Sequence, residues 1–235
     1  MLSPTGTVSF LFTDIEGSTR LWERSPVEMD RALREHDSII RRVSAAHGGR
    51  VFSTAGDSFA VAFSRSSAAV AAAVTAQVEQ SHTPGLPLRV RMAVHAGESV
   101  ERDGDYLGPT LNRAARILGR AHGGQILVSG TAASLCTSLP SDTELRDLGF
   151  HPLRDLDEPE HLFQAVHPDL ADSFPPLRTE ARRTNLPHEH TSFVGRQQEL
   201  AELDKLVAGA RLVTVTGMGG VGKSRLVARL ATDIL

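Results

Sequence analysis

Two aspartates stand where apolar runs end. Asp14 closes the run TVSFLFTD at residues 7–14, and Asp57 sits in the turn of STAGDSF. Carboxylates on adjacent strand ends are hard oxygen donors, suited to one or two cations such as Mg²⁺ or Mn²⁺. Beside the first of them lie Ile15, Glu16, Gly17, Ser18 and Thr19. A tight turn over these residues presents backbone N–H groups, a suitable cradle for a di- or triphosphate. Farther on, Asp105, Asn112 and Arg116 follow at spacings of seven and four, so Asn112 and Arg116 share one face of a helix. A separate cluster, GMGGVGKS from Gly217 to Ser224, fits the Walker A pattern. The loop from Gly217 to Gly222 would cradle phosphates with its N–H groups, Lys223 would reach the β/γ-phosphates, and Ser224 would take Mg²⁺.

The positioning elements follow from pattern. Residues 7–14 predict a buried strand, and residues 15–19 a turn into a helix. Ser25, Pro26 and Glu28 mark a helix start, with Ser25 as the cap. Met29, Leu33, His36, Ile40 and Val43 then share one face until Gly48 and Gly49. Residues 50–54 and 58–63 predict a hairpin that carries Asp57 at its tip. An alanine-rich helix is expected over residues 66–80, a strand over 88–96, a turn over 101–105, a helix over 108–120 and a strand over 125–129. Short strands are expected within 145–156 and 162–166. This order predicts an α+β, ferredoxin-like domain. From Pro168 the texture changes, with Pro175, Pro176 and Pro187 among charges, so residues 168–190 read as a linker. Residues 197–207 predict a helix, 211–216 a strand, and 221–235 the start of a helix. His95 reads as a core or strand-end histidine, and Trp22 as a packing or interface residue.

Composition excludes several classes. The chain has 235 residues, 25 Lys+Arg against 28 Asp+Glu, and 40% hydrophobic residues. This balance provides no polycation for nucleic acid, and no basic recognition helix is evident, so direct nucleic-acid contact is not expected. The single cysteine, Cys136, excludes an internal disulfide framework and a cysteine-based zinc site. No signal peptide or membrane-length apolar stretch is found, and a soluble, cytoplasmic chain is expected. Only Lys205 and Lys223 are lysines, so the first 204 residues contain none.

The segments FTDIEGST, STAGDSFAVAF and GDYLGPTLNRAARI, in this order, closely resemble the three signature segments of class III adenylyl/guanylyl cyclase catalytic domains over roughly residues 5–167. That resemblance implies a homodimer paired head to tail, with sites shared between protomers and two Mg²⁺ or Mn²⁺ ions per site. Asp14, Asp57 and the carbonyl of Ile15 match the metal ligands of one protomer. Asn112 and Arg116 match the other protomer's transition-state pair, Asn112 orienting the ribose and Arg116 offsetting charge on the α-phosphate. Asp105 and Ser53 match the two purine readers. Adenylyl members typically carry lysine at the position of Ser53 and guanylyl members glutamate. Asp105 can only accept, which fits the exocyclic amine of adenine and opposes guanine O6. ATP is therefore the expected substrate, with weakened base selectivity. The stretch FVGRQQELAEL with the Walker A loop resembles the opening of signal-transduction ATPases that drive some large bacterial transcriptional regulators, over about residues 191–235. The chain ends eleven residues past Ser224, so a competent ATPase is not expected. The resulting expectation is a cyclase domain at 1–167, a linker at 168–190 and an incomplete P-loop segment at 191–235, making cyclic AMP and pyrophosphate from ATP. The alternative is a degenerate cyclase domain that binds nucleotide or dimerises within a P-loop ATPase regulator.

Overall fold

In the computed structural model, which describes residues 4–85, 88–154, 156, 158–178, 195–218 and 221–234, the N-terminal apolar run forms β1 (Gly6–Ile15). After it come α1 (Ser18–Arg24), α2 (Pro26–Ala46), β2 (Arg50–Ala55), β3 (Ser58–Phe63), α3 (Ser66–His82) and β4 (Val90–Arg102). Then follow β5 (Asp105–Leu107), α4 (Pro109–Arg120), β6 (Ile126–Ser129), α5 (Gly130–Ser134), β7 (Glu144–His151) and β8 (Glu160–Val166). A second compact unit begins at residue 181 and contains α6 (Gln197–Gly209) and α7 (Lys223–Ile234).

The sheet order is β2-β3-β1-β4-β6-β8-β7, with β5 paired to β4. β4 and β6 run parallel, while the other pairs are antiparallel. Alternation along β1 assigns its two faces. Leu11 and Ile15 pack in the main core with Met29 and Ile40 of α2 and Val70 and Ala73 of α3. Val8 and Phe10 point the other way, into a cluster with Ala62 and Tyr106. On that second side Ile117 of α4 packs with Ala93 and Leu127. The α+β expectation holds, and the sheet extends well beyond the four strands of a minimal ferredoxin-like unit.

Local differences have physical causes. Ser25 precedes Pro26 as expected, but its side chain makes no capping bond; it also ends α1, and its backbone carbonyl accepts from Met29 N at 2.9 Å. The predicted turn at 101–105 narrows to Asp103 and Gly104, both at positive φ, because β4 and β5 continue pairing as far as Arg102 and Asp105. Residues 168–178, expected as linker, are docked on the first unit: Leu170 N donates to His167 O at 3.0 Å and Gln164 Nε2 to Asp172 O at 2.9 Å. In the second unit, residues 211–216 form no strand; among the described residues they have no ladder partner, and a strand exists only when paired. Val213 and Val215 instead pack beside Leu203, Leu226 and Leu230. No helix among the described residues is long and apolar enough to cross a membrane.

His95 proves to be a core residue of β4, 4% exposed, with Nδ1 2.8 Å from Ser129 Oγ. Burial, then the nearby Arg113 guanidinium, push its pKa from 6.5 down to about 4. The unfolded chain binds this proton near pH 6.5 and the folded chain only near 4. The contribution is therefore fully present above pH 6.5 and is lost as pH falls toward 4. Between pH 7 and pH 5 this histidine should remove about 2 kcal/mol of stability. Urea unfolding at the two pH values measures the loss, and His95→Gln should flatten much of it. An unchanged pH dependence in that variant would assign the loss to other groups.

Candidate active site

The first carboxylate site is a corner where β1 ends against the β2–β3 turn. Asp14 is the penultimate residue of β1 and pairs in register with Arg91 of β4. Its Oδ1 accepts from Ser58 Oγ at 2.8 Å, and its Oδ2 accepts from Arg91 Nε at 2.7 Å and from Arg91 Nη2. Asp57, in the hairpin turn, accepts from the backbone N–H of Ile15 through Oδ2 at 3.2 Å. The hairpin and the central strand thus cross-link through both aspartates. Two carboxylates at one corner are hard oxygen donors, which fit a divalent cation. Among the described residues no group of three His, Cys, Asp or Glu side chains gathers to hold a metal, so a bound cation would draw its further ligands from water, backbone carbonyls or a bound molecule. Arg91 competes with any cation for Asp14 Oδ2 and is three-quarters buried on its strand. Sequence reading passed over it; the available signal was an arginine inside a strand that alternates between two buried faces, where a guanidinium needs a carboxylate partner.

The turn predicted at 15–19 narrows to Glu16 and Gly17, because β1 runs to Ile15 and Ser18 already opens α1. Gly17 is its cap at φ 71, a left-handed conformation that a Cβ would strain, and its carbonyl accepts from Arg20 N at 3.0 Å and Leu21 N at 3.2 Å. The first N–H groups of α1 have no partner within the helix, as at any helix start. Glu16 is turned toward Gly123, whose N–H donates to Oε1 at 3.3 Å. A Cβ on Gly123 would lie 2.8 Å from Glu16 Oε2, so glycine permits that approach.

A second cluster surrounds a cavity of about 350 Å³ beside β2, β5 and α4. Ser53, Asp105 and Asn112 line it together, with Phe12, Phe52 and Leu111 among its apolar walls. Phe10, Phe52 and Tyr106 meet edge to face, with ring centroids 4.9–5.7 Å apart, and stiffen this wall. Tyr106 is fixed in turn, its hydroxyl donating to the Pro4 carbonyl at 2.8 Å. Asp105 and Asn112 are exposed, and Asp105 Oδ1 accepts from Tyr106 N at 2.7 Å. Arg116 lies one turn beyond Asn112 on α4 and is half-buried, while Arg113 is drawn away to the buried Glu160 at 2.8 Å. A larger cavity of about 810 Å³ lies between α2 and α3 and contains none of these residues.

The Walker A residues belong to the second unit. Lys223 opens α7 and donates through Nζ to the carbonyls of Gly217 and Met218 at 2.9 and 2.8 Å. Gly222 has φ 82 and Ser224 is exposed; Gly219 and Gly220 lie outside the described residues.

The model of the adenylate and guanylate cyclase catalytic domain matches residues 2–154. The chain belongs to this family. It is a nucleotide cyclase, and the two clusters above lie on its catalytic domain. An uncharacterized protein of Mycobacterium tuberculosis is 43% identical over 205 residues, covering 85% of this chain and 70% of that protein. The adenylate cyclase of Schizosaccharomyces pombe is 33% identical over 168 residues, which cover 60% of this chain and 10% of that much longer protein. Among solved structures, an adenylate cyclase of Trypanosoma brucei in its monomeric state aligns with TM-score 0.66 and 28% identity, over 76% of this chain and 95% of that one.

Proposed function

We propose that the domain converts ATP to 3′,5′-cyclic AMP and pyrophosphate at composite sites of a homodimer. The observation that carries this reading is the gathering of Ser53, Asp105 and Asn112 around one cavity. In it Asp105 accepts from the adenine amine, Ser53 offers a short donor or acceptor, and Asn112 orients the ribose. Arg116 offsets the charge that grows on the α-phosphate. The ribose 3′-oxygen bonds to the α-phosphorus, the bond from that phosphorus to the β-phosphate oxygen breaks, and pyrophosphate leaves with the electron pair. Asp14, Asp57 and the Ile15 carbonyl of the partner subunit would hold two Mg²⁺ or Mn²⁺ ions, which supply Lewis-acid activation and charge neutralisation. The turn at 15–19 of that same subunit would take the remaining phosphates. The chain's own contribution is positioning and charge stabilisation, and no protein nucleophile is needed.

The reading extends to residues 191–235 as the opening of a P-loop NTPase domain. Support comes from the loop-to-helix transition at Gly222 and Lys223. The domain would be soluble and cytoplasmic, with no direct nucleic-acid contact.

Incubation with ATP or GTP and Mn²⁺, with mass-resolved detection of products, tests the proposal; cyclic AMP is expected as the main product. Ser53→Lys should raise ATP turnover about tenfold or more, since a restored base contact contributes about 1–3 kcal/mol. Cyclic GMP as the main product would overturn the role given to Asp105. No product from either nucleotide, from folded protein, would favour the nucleotide-binding module of a transcriptional regulator.

A further inference from the structure

Glu16 lies in the middle of the proposed phosphate turn, and a carboxylate there opposes a triphosphate. Its side chain is 18% exposed and is held by two guanidinium groups: Arg89, at 3.3 Å, and Arg178. Arg178 Nη2 donates to Glu16 Oε1, the oxygen that also accepts from Gly123 N. Arg178 lies 162 residues away in sequence, in the segment that reads as linker.

The structure builds a seat for that segment. Arg146 Nη1 donates to the Asp172 carbonyl at 2.9 Å. Phe174 stacks on His122 with ring planes 8° apart. The backbone N–H of Arg178 donates to Arg120 O at 3.0 Å, and Arg120 Nη1 donates to Arg178 O at 2.6 Å. His122 joins the two groups of contacts. Its Nε2 is 3.0 Å from the Pro176 carbonyl, which can only accept, so the ring proton sits on Nε2. Nδ1 is then the acceptor for Arg178 Nε, at 3.4 Å. Thus Arg178 has its backbone fixed to Arg120, its Nε bonded to His122 and its Nη2 directed at Glu16.

We infer that Arg178 is a positioning residue for the nucleotide: it neutralises Glu16 and holds that carboxylate toward Gly123, leaving the N–H groups of Gly17, Ser18 and Thr19 to the triphosphate, while those of Ile15 and Glu16 donate to Asp57 and to the Arg89 carbonyl. The inference rests on the proposed nucleotide reading of the turn. Without Arg178, Glu16 keeps only the more exposed Arg89 as an ionic partner, and its charge is felt by the substrate phosphates. At the separations of neighbouring side chains, one uncompensated like charge weakens binding about tenfold.

The test uses full-length chains and equilibrium binding of methylanthraniloyl-labelled ATP with Mn²⁺, beside steady-state kinetics. The backbone bonds to Arg120 survive a side-chain change, so Arg178→Ala should fold, which a melting curve checks. That variant should bind about tenfold more weakly, with KM raised and kcat changed less than about threefold. Arg178→Lys, which keeps the charge and loses the fork, should recover most of the affinity. Adding Glu16→Gln to Arg178→Ala should also recover most of it, because the unpaired charge is then gone. Wild-type affinity in Arg178→Ala would overturn the inference. So would a loss that neither Arg178→Lys nor Glu16→Gln recovers, since the segment would then act through packing alone. If wild-type chain bound neither labelled ATP nor labelled GTP, the nucleotide reading itself would fail, and this inference with it.

Discussion

Asp57→Ala is expected to abolish cyclic nucleotide formation, by about a thousandfold or more, in protein that remains folded. The catalytic loss follows from the donor set. Asp14, Asp57 and one backbone carbonyl are all that the proposed metal site offers from its own chain, so removing one carboxylate halves the charge available to a divalent cation. A thousandfold corresponds to about 4 kcal/mol of lost transition-state stabilisation. The structural loss is much smaller. The Asp57 side chain sits in a hairpin turn and accepts from Ile15 N at 3.2 Å, a bond whose removal costs about 1 kcal/mol against the 5–15 kcal/mol of a typical domain. Asp14→Ala is the less clean experiment. It strands the Arg91 guanidinium, which is 25% exposed, and removes the acceptor of Ser58 Oγ, so catalytic and structural losses are mixed. Mass detection of product, a melting curve and Mn²⁺ titration by electron paramagnetic resonance separate the terms. A folded Asp57→Ala chain that kept a tenth of wild-type turnover would remove Asp57 from the metal site.

The residues proposed for the chemistry stood out as candidates because each combines an unusual side chain with a local pattern. Asp14 closes a continuous apolar run near the end of a strand buried on both faces, Asp57 marks a two-strand turn, and Asn112 and Arg116 repeat at helical spacing. What stayed hidden depends on contacts between distant parts of the chain. Arg91 is one of two arginines in LRVRMAVHA, and only the antiparallel register opposite Asp14 singles it out. Arg178 follows two prolines in a stretch without periodicity, which reads as linker by every local rule. Its place is fixed by His122, Arg120 and Glu16, none of them near it in sequence. The opposite error concerns residues 211–216, where RLVTVT has ideal strand composition. Composition describes what a ladder would accept, and no ladder forms there among the described residues. The gathering of Ser53, Asp105 and Asn112 needed both kinds of information. Spacing pointed to Asp105 and Asn112 and the family resemblance to Ser53, but only the packing of β2, β5 and α4 around the Phe52–Tyr106 pair places all three on one cavity.

That placement leads to the second large effect. Asp57→Ala and Asn112→Ala chains, each inactive alone, are expected to regain about one quarter of wild-type turnover when mixed and allowed to exchange. The proposed dimer has two sites, each taking its carboxylates from one protomer and its α4 residues from the other. Random pairing of two variants makes about half of all dimers mixed. In a mixed dimer one site receives both substitutions and the other receives neither, so half of its sites are whole. Half of the dimers with half of the sites gives about one quarter. The arithmetic requires that the two substitutions lie in the same site but on different chains, and no site contained within one protomer can reproduce it. Asn112 suits the experiment because it is exposed on α4 and packs in no core cluster, so truncating it leaves the helix intact. Subunit exchange is followed independently by native mass spectrometry of chains differing in isotope label. Mixed dimers seen at the expected proportion, without recovered activity, would place Asp57 and Asn112 in the same protomer's site. Recovery near one quarter would establish that the carboxylate corner and the Ser53–Asp105–Asn112 cavity of one chain serve different substrate molecules.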